Sequence, residues 1–311
     1  MRVHLGAYAA SPCHSTWDPA AETAYYEGLK RLDLAGLEHP YWDRLHRFDD
    51  AWFLDNLHPD WTLVLTTLPG TMDRLKDDPV YGLASADAGG RGRALDALEG
   101  ARRVVAQLHR FLGRRVVKAV EVHSAPRLGA GAKSSLEAFA DSLSSLRARD
   151  WDGATLLVEH CDAFVPSHAP DKGFLRIEDE ALAVRMSNGA TPAALAVNWG
   201  RSAVETRSAQ GPLEHLRRAR EAELLGGLFF SGATPSHPLY GDWRDSHAPF
   251  SVVTPESILT KENAAAALAQ AGEPPFLGLK MQALPKDLGV TQRLEFVKTN
   301  LETLRSCQTR A

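Results

Sequence analysis

Leu156-Leu157-Val158-Glu159-His160-Cys161-Asp162 is the stretch on which the reading of this chain turns. Three apolar residues run straight into Glu-His-Cys-Asp, side chains that bind metals or move protons. The apolar run is short and follows a helical segment and Asp152-Gly153, so it reads as a buried strand of a parallel sheet. Polar groups that begin where such a strand ends stand at its carboxyl edge, where α/β proteins build their sites.

The same device recurs on either side. Upstream, strands are expected over residues 3–8, 34–40, 61–65 and 116–123, the second ending in Glu38-His39 and the fourth in Glu121-Val122-His123. Downstream they are expected over 195–198, 227–230 and 276–281, the last carrying Lys280 and leading into Gln282. Helical segments fall between them: 19–32, 48–57, 94–112, 134–149, 178–186, 213–225, 256–271 and 289–304. Strand and helix alternate eight times over an unbroken chain, which predicts a single (β/α)8 TIM barrel spanning residues 1–311. The segment Gly89-Gly90-Arg91-Gly92-Arg93 lacks the Gly-Lys-Ser/Thr ending of a phosphate loop and the strand that precedes a dinucleotide fingerprint. It is expected to be part of a flexible connection over 81–93.

Composition narrows the function. A hydrophobic fraction of 44% and a charged fraction of 24% belong to an ordinary globular chain. The net charge of -4 supplies no bulk attraction to nucleic acid or to an anionic membrane. Cys13, Cys161 and Cys307 are odd in number and far apart, so neither a disulfide framework nor a thiolate zinc site is expected. No apolar run approaches the length of a membrane helix, and a cytoplasmic protein is expected.

Residues two apart on a strand share a face. That places Glu38, Glu121, His123, Glu159, Asn198, Ser231, Lys280 and Gln282 at one barrel mouth. So many ionisable groups inside a barrel are costly unless paired or bound to something. Glu121, one step deeper, is as readily an ion-pair partner of Lys118 or Lys280 as a site residue. His160 and Asp162 alternate badly with Glu159 and are expected to face the helices or the loop. Asp18 and Glu22 read as helix-start acids, and Glu205 and Arg207 as loop or cap residues. After the seventh strand comes a Trp- and Pro-rich excursion, 233–253, whose Asp245-Ser246-His247 can present a carboxylate and an imidazole to one ion.

Glu38 within Gly-Leu-Glu-His-Pro, His123, Glu159 and the Asp245-x-His247 loop together resemble the xylose isomerase-like barrels. That superfamily contains sugar isomerases, ketose 3-epimerases, inosose dehydratases and the endonuclease IV group. An uncharacterised bacterial family within it is the expected home of the chain. The resemblance implies a metal-ligating Glu on the fifth strand, matched by Glu159. It also implies Asp, His and Glu on the next three, where this chain has Asn198, Ser231 and Lys280 with Gln282. It further implies a homodimer.

The expectations follow. The chain is read as an isomerase, epimerase or related lyase for a small sugar or polyol, with proton transfer next to a carbonyl. Glu159, His123 and Lys280 are the catalytic candidates. Glu38, Asn198, Trp199, Arg201, Gln282 and Trp243 are the substrate-binding ones. A divalent ion (manganese, zinc, cobalt or magnesium) would be held by Glu159, Asp245, His247 and His123. No nucleic-acid or membrane partner is expected. Two alternatives stay open: a Schiff-base aldolase using Lys280, and a non-catalytic sugar-binding barrel.

Overall fold

The computed structural model describes residues 1–128 and 133–308. Each apolar run expected as a strand pairs in parallel with its neighbours, and the sheet closes on itself. The strands are β1 (Val3–Leu5), β2 (Leu34–Pro40), β3 (Thr62–Thr66), β4 (Val117–Val122), β5 (Thr155–His160), β6 (Ala193–Asn198), β7 (Leu225–Phe230) and β8 (Phe276–Leu279). Closure is made where His4 of β1 lies opposite Gly278 of β8. Around them run α1 (Pro19–Leu29), α2 (Asp50–Asn56), α3 (Leu68–Asp77), α4 (Ala88–Leu112), α5 (Leu136–Arg147), α6 (Ile177–Met186), α7 (Trp199–Thr206), α8 (Gly211–Glu221), α9 (Lys261–Ala271) and α10 (Val290–Gln308). The fold is a (β/α)8 TIM barrel.

Three local expectations need correction. The supposed connection over 81–93 becomes helix from Ala88, because Asp87 caps it by accepting from Gly90 N–H at 2.6 Å. Gly90 then lies so close to Val80 that a Cβ there would stand 2.1 Å from the Val80 carbonyl oxygen. The helix expected from 256 starts only at Lys261, where Thr260 accepts from Asn263 N–H. Helices α3 and α7 were not foreseen. Each begins within a residue or two of a strand end, so no loop composition announces it.

The barrel interior is layered. Val64, Ala119, Leu157, Ala196 and Phe229 form an apolar plug. Two residues further along the same faces stand Thr66, Glu121, Glu159, Asn198 and Ser231, all buried. Lys280 follows two residues after Gly278, which leaves room for the Phe229 ring: a Cβ at Gly278 would meet Phe229 Cδ1 at 2.0 Å. A much larger apolar core fills the space between the strands and the helices.

Candidate active site

Glu159 is the hub of the charged layer. His123 Nε2 lies 2.9 Å from its Oε2, and Asn198 Nδ2 donates to Oε1 at 3.1 Å. Lys280 Nζ is 3.5 Å from Oε1 and 2.5 Å from Glu38 Oε1. Arg201 Nη1 stands 2.6 Å from Glu159 Oε1, an ion pair by distance in which no N–H points along the line. The amide of Asn198 is oriented because its Oδ1 accepts from Ser231 Oγ–H and from Arg201 N–H. That second bond is also the N-cap of α7. The helix thus starts at the strand end and turns Arg201 back into the barrel.

Arg201 reaches the other way too, donating from Nε to Asp245 Oδ2 at 2.9 Å. Lys172 Nζ lies 3.1 Å from the same oxygen, and His247 Nδ1 lies 3.1 Å from Asp245 Oδ1. Lys172 is delivered by a loop after β5 that Asp162 ties down by accepting from Asp171 N–H and Lys172 N–H. Sequence reasoning missed Lys172, since a lysine in a Pro- and His-rich loop carries no signal of its own.

The environment sorts these groups by charge. Burial alone would lift the Glu159 carboxyl, but Arg201 and Lys280 hold it well below the usual carboxylate range. Glu121 has neither carboxylate oxygen hydrogen-bonded, and burial followed by the charges of Glu159 and Glu38 pushes it well above that range. The surroundings therefore favour a proton on Glu121 and disfavour one on Glu159. Lys118, one of its proposed partners, is exposed on the other face of β4. Burial lowers His123, against the pull of Glu159. Burial would also strip Lys280, but Glu159 and Glu38 hold its proton far more firmly than usual.

A carboxylate can only accept, so Nε2 of neutral His123 carries the hydrogen bonded to Glu159. Its Nδ1 is then an acceptor, buried and without a hydrogen-bond partner among the described residues. His123 lines a small cleft shared with Tyr41, Thr67, Arg74, Tyr81 and Gly82. A second small cleft is lined by Tyr8, Glu22, Trp42, His46 and Phe48. The arrangement is an imidazole oriented by a buried carboxylate beside a cleft, the same device by which a carboxylate fixes a histidine tautomer in hydrolases.

Residues 4–296 match the family described as Domain of unknown function (DUF4862). The chain belongs to that family. A relative, Uncharacterized protein STM3670 of Salmonella typhimurium strain LT2, is 30% identical over 312 residues, covering 98% of this chain and 97% of that one. Among solved structures, a candidate xylose isomerase from Rhodospirillum rubrum superposes with a TM-score of 0.63 at 13% identity, over 98% of this chain and 99% of that one. D-Psicose 3-epimerase from Clostridium cellulolyticum H10, solved with D-tagatose, gives 0.54 at 14% identity, over 99% of both chains. At these identities the likeness is one of fold: the DUF4862 chain shares its barrel with these structures.

Among the described residues of the DUF4862 chain, two groups have the spacing of a metal site: Glu38, Glu121 and Glu159, all buried, and His160, Glu205 and His215, of which Glu205 is half-buried. Their chemistry differs from their spacing. His160 faces the helices, with Nδ1 2.7 Å from Glu180 and Nε2 2.9 Å from Glu205. Burial opposes its charge, but the two glutamates raise it to about 10, so both nitrogens carry protons and neither is a ligand. Glu205, expected to line a loop, belongs to this network on α7. In the barrel, Glu38 and Glu159 already face the Lys280 ammonium, and Glu159 the Arg201 guanidinium as well, so a divalent ion would meet two charges of its own sign. Arg201 likewise stands between Glu159 and Asp245, two carboxylates proposed to share an ion. As arranged, this donor set does not fit a resident divalent cation.

The remaining candidates lie apart from the hub. Trp199 is fully buried in the outer core. Trp243 packs against that core with Arg207 over its ring. Gln282 lines a separate cleft with His14, Lys286 and Arg293. Asp18 caps α1 as expected, whereas Glu22 is buried and accepts from Ser11 Oγ–H at 2.6 Å.

Proposed function

We propose that this chain is an isomerase or epimerase for a small sugar or polyol, moving a proton at the carbon next to a carbonyl. The observation that carries the reading is the His123–Glu159 pair: an imidazole that lines a cleft, its Nε2 held at 2.9 Å by a buried carboxylate and its buried Nδ1 left without a hydrogen-bond partner among the described residues. Nδ1 takes the proton from carbon and returns it to the neighbouring carbon on the same face, while epimerisation would need a second proton donor on the opposite face. Glu159 stabilises the imidazolium formed in between, a role worth about 10²–10⁴ in rate for a positioned acid–base group. The fields of Arg201 and Lys280 offset negative charge developing on the substrate oxygen. Glu38 and Asn198 hold Lys280 and Glu159 in place. Two structural relatives, D-psicose 3-epimerase and 3-keto-D-glucoside 4-epimerase, carry out reactions of this kind by their names.

The aldolase alternative is disfavoured, because a Schiff-base lysine must lose its proton and Lys280 is clamped between two glutamates. A panel of aldoses and ketoses, assayed for interconversion, tests the proposal. Turnover that His123→Asn reduces by about 10²-fold or more supports it. Tight sugar binding by calorimetry with no interconversion would replace it with a sugar-binding barrel.

A further inference from the structure

We propose that Lys280 and Arg201 are resident counter-cations standing in place of a divalent ion, so that this barrel acts on its substrate without a bound metal. The inference shares its centre with the proton transfer proposed above and rests on that reading for its role in turnover. Its support is the pattern of ion pairs. Glu38 is met by Lys280, Glu159 by Arg201 and Lys280, and Asp245 by Arg201 and Lys172. These three carboxylates therefore face three cations, of which Lys280 and Arg201 are fully buried and the half-buried Lys172 also pairs with Asp171 at 2.7 Å. A divalent ion added to that set would leave a buried excess of positive charge. Glu121, the remaining carboxyl, has no cation in contact with either oxygen among the described residues.

The sequence tells the same story strand by strand. The resemblance puts Asp, His and Glu at the ends of the last three strands. Here they are Asn198, which donates to Glu159; Ser231, which donates to Asn198; and Lys280, an ammonium on Glu159. Each replacement hydrogen-bonds into the hub rather than offering it a further anionic ligand. A tethered ammonium also cannot be lost to chelators or exchanged between metals. That ties the reaction to substrates whose developing charge a single cation can offset, such as an enediolate from an uncharged sugar.

The test reads metal, not turnover. Protein purified without added metal or nickel affinity is analysed for bound elements, and its unfolding midpoint is followed in millimolar manganese, cobalt, zinc and magnesium. The proposal expects metal far below one ion per chain and a midpoint that none of these ions moves. Lys280→Glu, which restores an eighth-strand carboxylate and removes the competing charge, is expected to carry near-stoichiometric metal and to be stabilised by it. Should that variant not fold, Lys280→Gln is expected to bind manganese or cobalt at least about tenfold more tightly than wild type, the minimum from removing a like charge at contact distance. Near-stoichiometric metal in the wild type, lost in Glu159→Gln, would overturn the inference, as would variants that bind ions no better than wild type. Metal-free protein that turns over no sugar would sink the proton-transfer reading alone.

Discussion

Glu159→Gln keeps the shape of the hub and removes the charge that two buried cations and a histidine are arranged around. Leaving Arg201 and Lys280 without their shared carboxylate is expected to lower unfolding free energy by about 3–5 kcal/mol, read by urea titration. A loss under about 1 kcal/mol would mean the buried pairs described here are not formed. Because the folded-state pKa of Glu159 is depressed, its contribution is present above the unfolded carboxylate value. It is lost as pH falls through the folded one. His160 runs the opposite way. Its pKa is raised to about 10, so its stabilisation is complete below the ordinary value of 6.5 and disappears as pH rises through about 10. Burial raises the Glu180 carboxyl, which offsets part of this. Urea titrations from neutral to alkaline pH should show a decline in the wild type that His160→Gln, already weakened at neutral pH, largely lacks. Parallel profiles would place the imidazolium elsewhere.

Among the elements, α4 offers a contrast between two glycines in one helix. Gly92 has open space where a Cβ would go, so Gly92→Ala is expected to raise stability by about 0.5–1 kcal/mol. Gly90→Ala would drive a methyl into the Val80 carbonyl and is expected to cost about 1–3 kcal/mol despite the same gain in helix propensity. Thermal unfolding of the two variants should move in opposite directions, and equal shifts would contradict the packing of α4. The same element shows where sequence reading ran out. A run of glycines reads as loop by propensity, whereas the backbone approach at Gly90 and the Asp87 cap are tertiary facts. Arg201 was legible as a site residue but not in its role, since an arginine after a strand normally reaches outward. Only the start of α7 on the Asn198 cap turns it back to bridge Glu159 and Asp245.

For the whole molecule, the period of the apolar runs was sufficient for the barrel. Each of the eight strands carries its own burial pattern, and closure needs only that they pair in order. Strand alternation also put Glu38, Glu121, His123, Glu159 and Lys280 on one face, because that rule is local. Charge balance is not local, and so the expectation of a metal met a centre in which lysine and arginine already hold the carboxylates. Among the described residues, no helix is long and apolar enough to cross a membrane. The most direct test of the central claim is solvent deuterium incorporation, followed by nuclear magnetic resonance, into small ketoses and aldoses incubated with the protein. The account predicts deuterium at the carbon next to the carbonyl of at least one sugar, abolished in His123→Asn and reduced about 10²-fold or more in Glu159→Gln. Deuterium incorporated at an undiminished rate by His123→Asn, or a sugar that binds tightly and exchanges no proton, would contradict it.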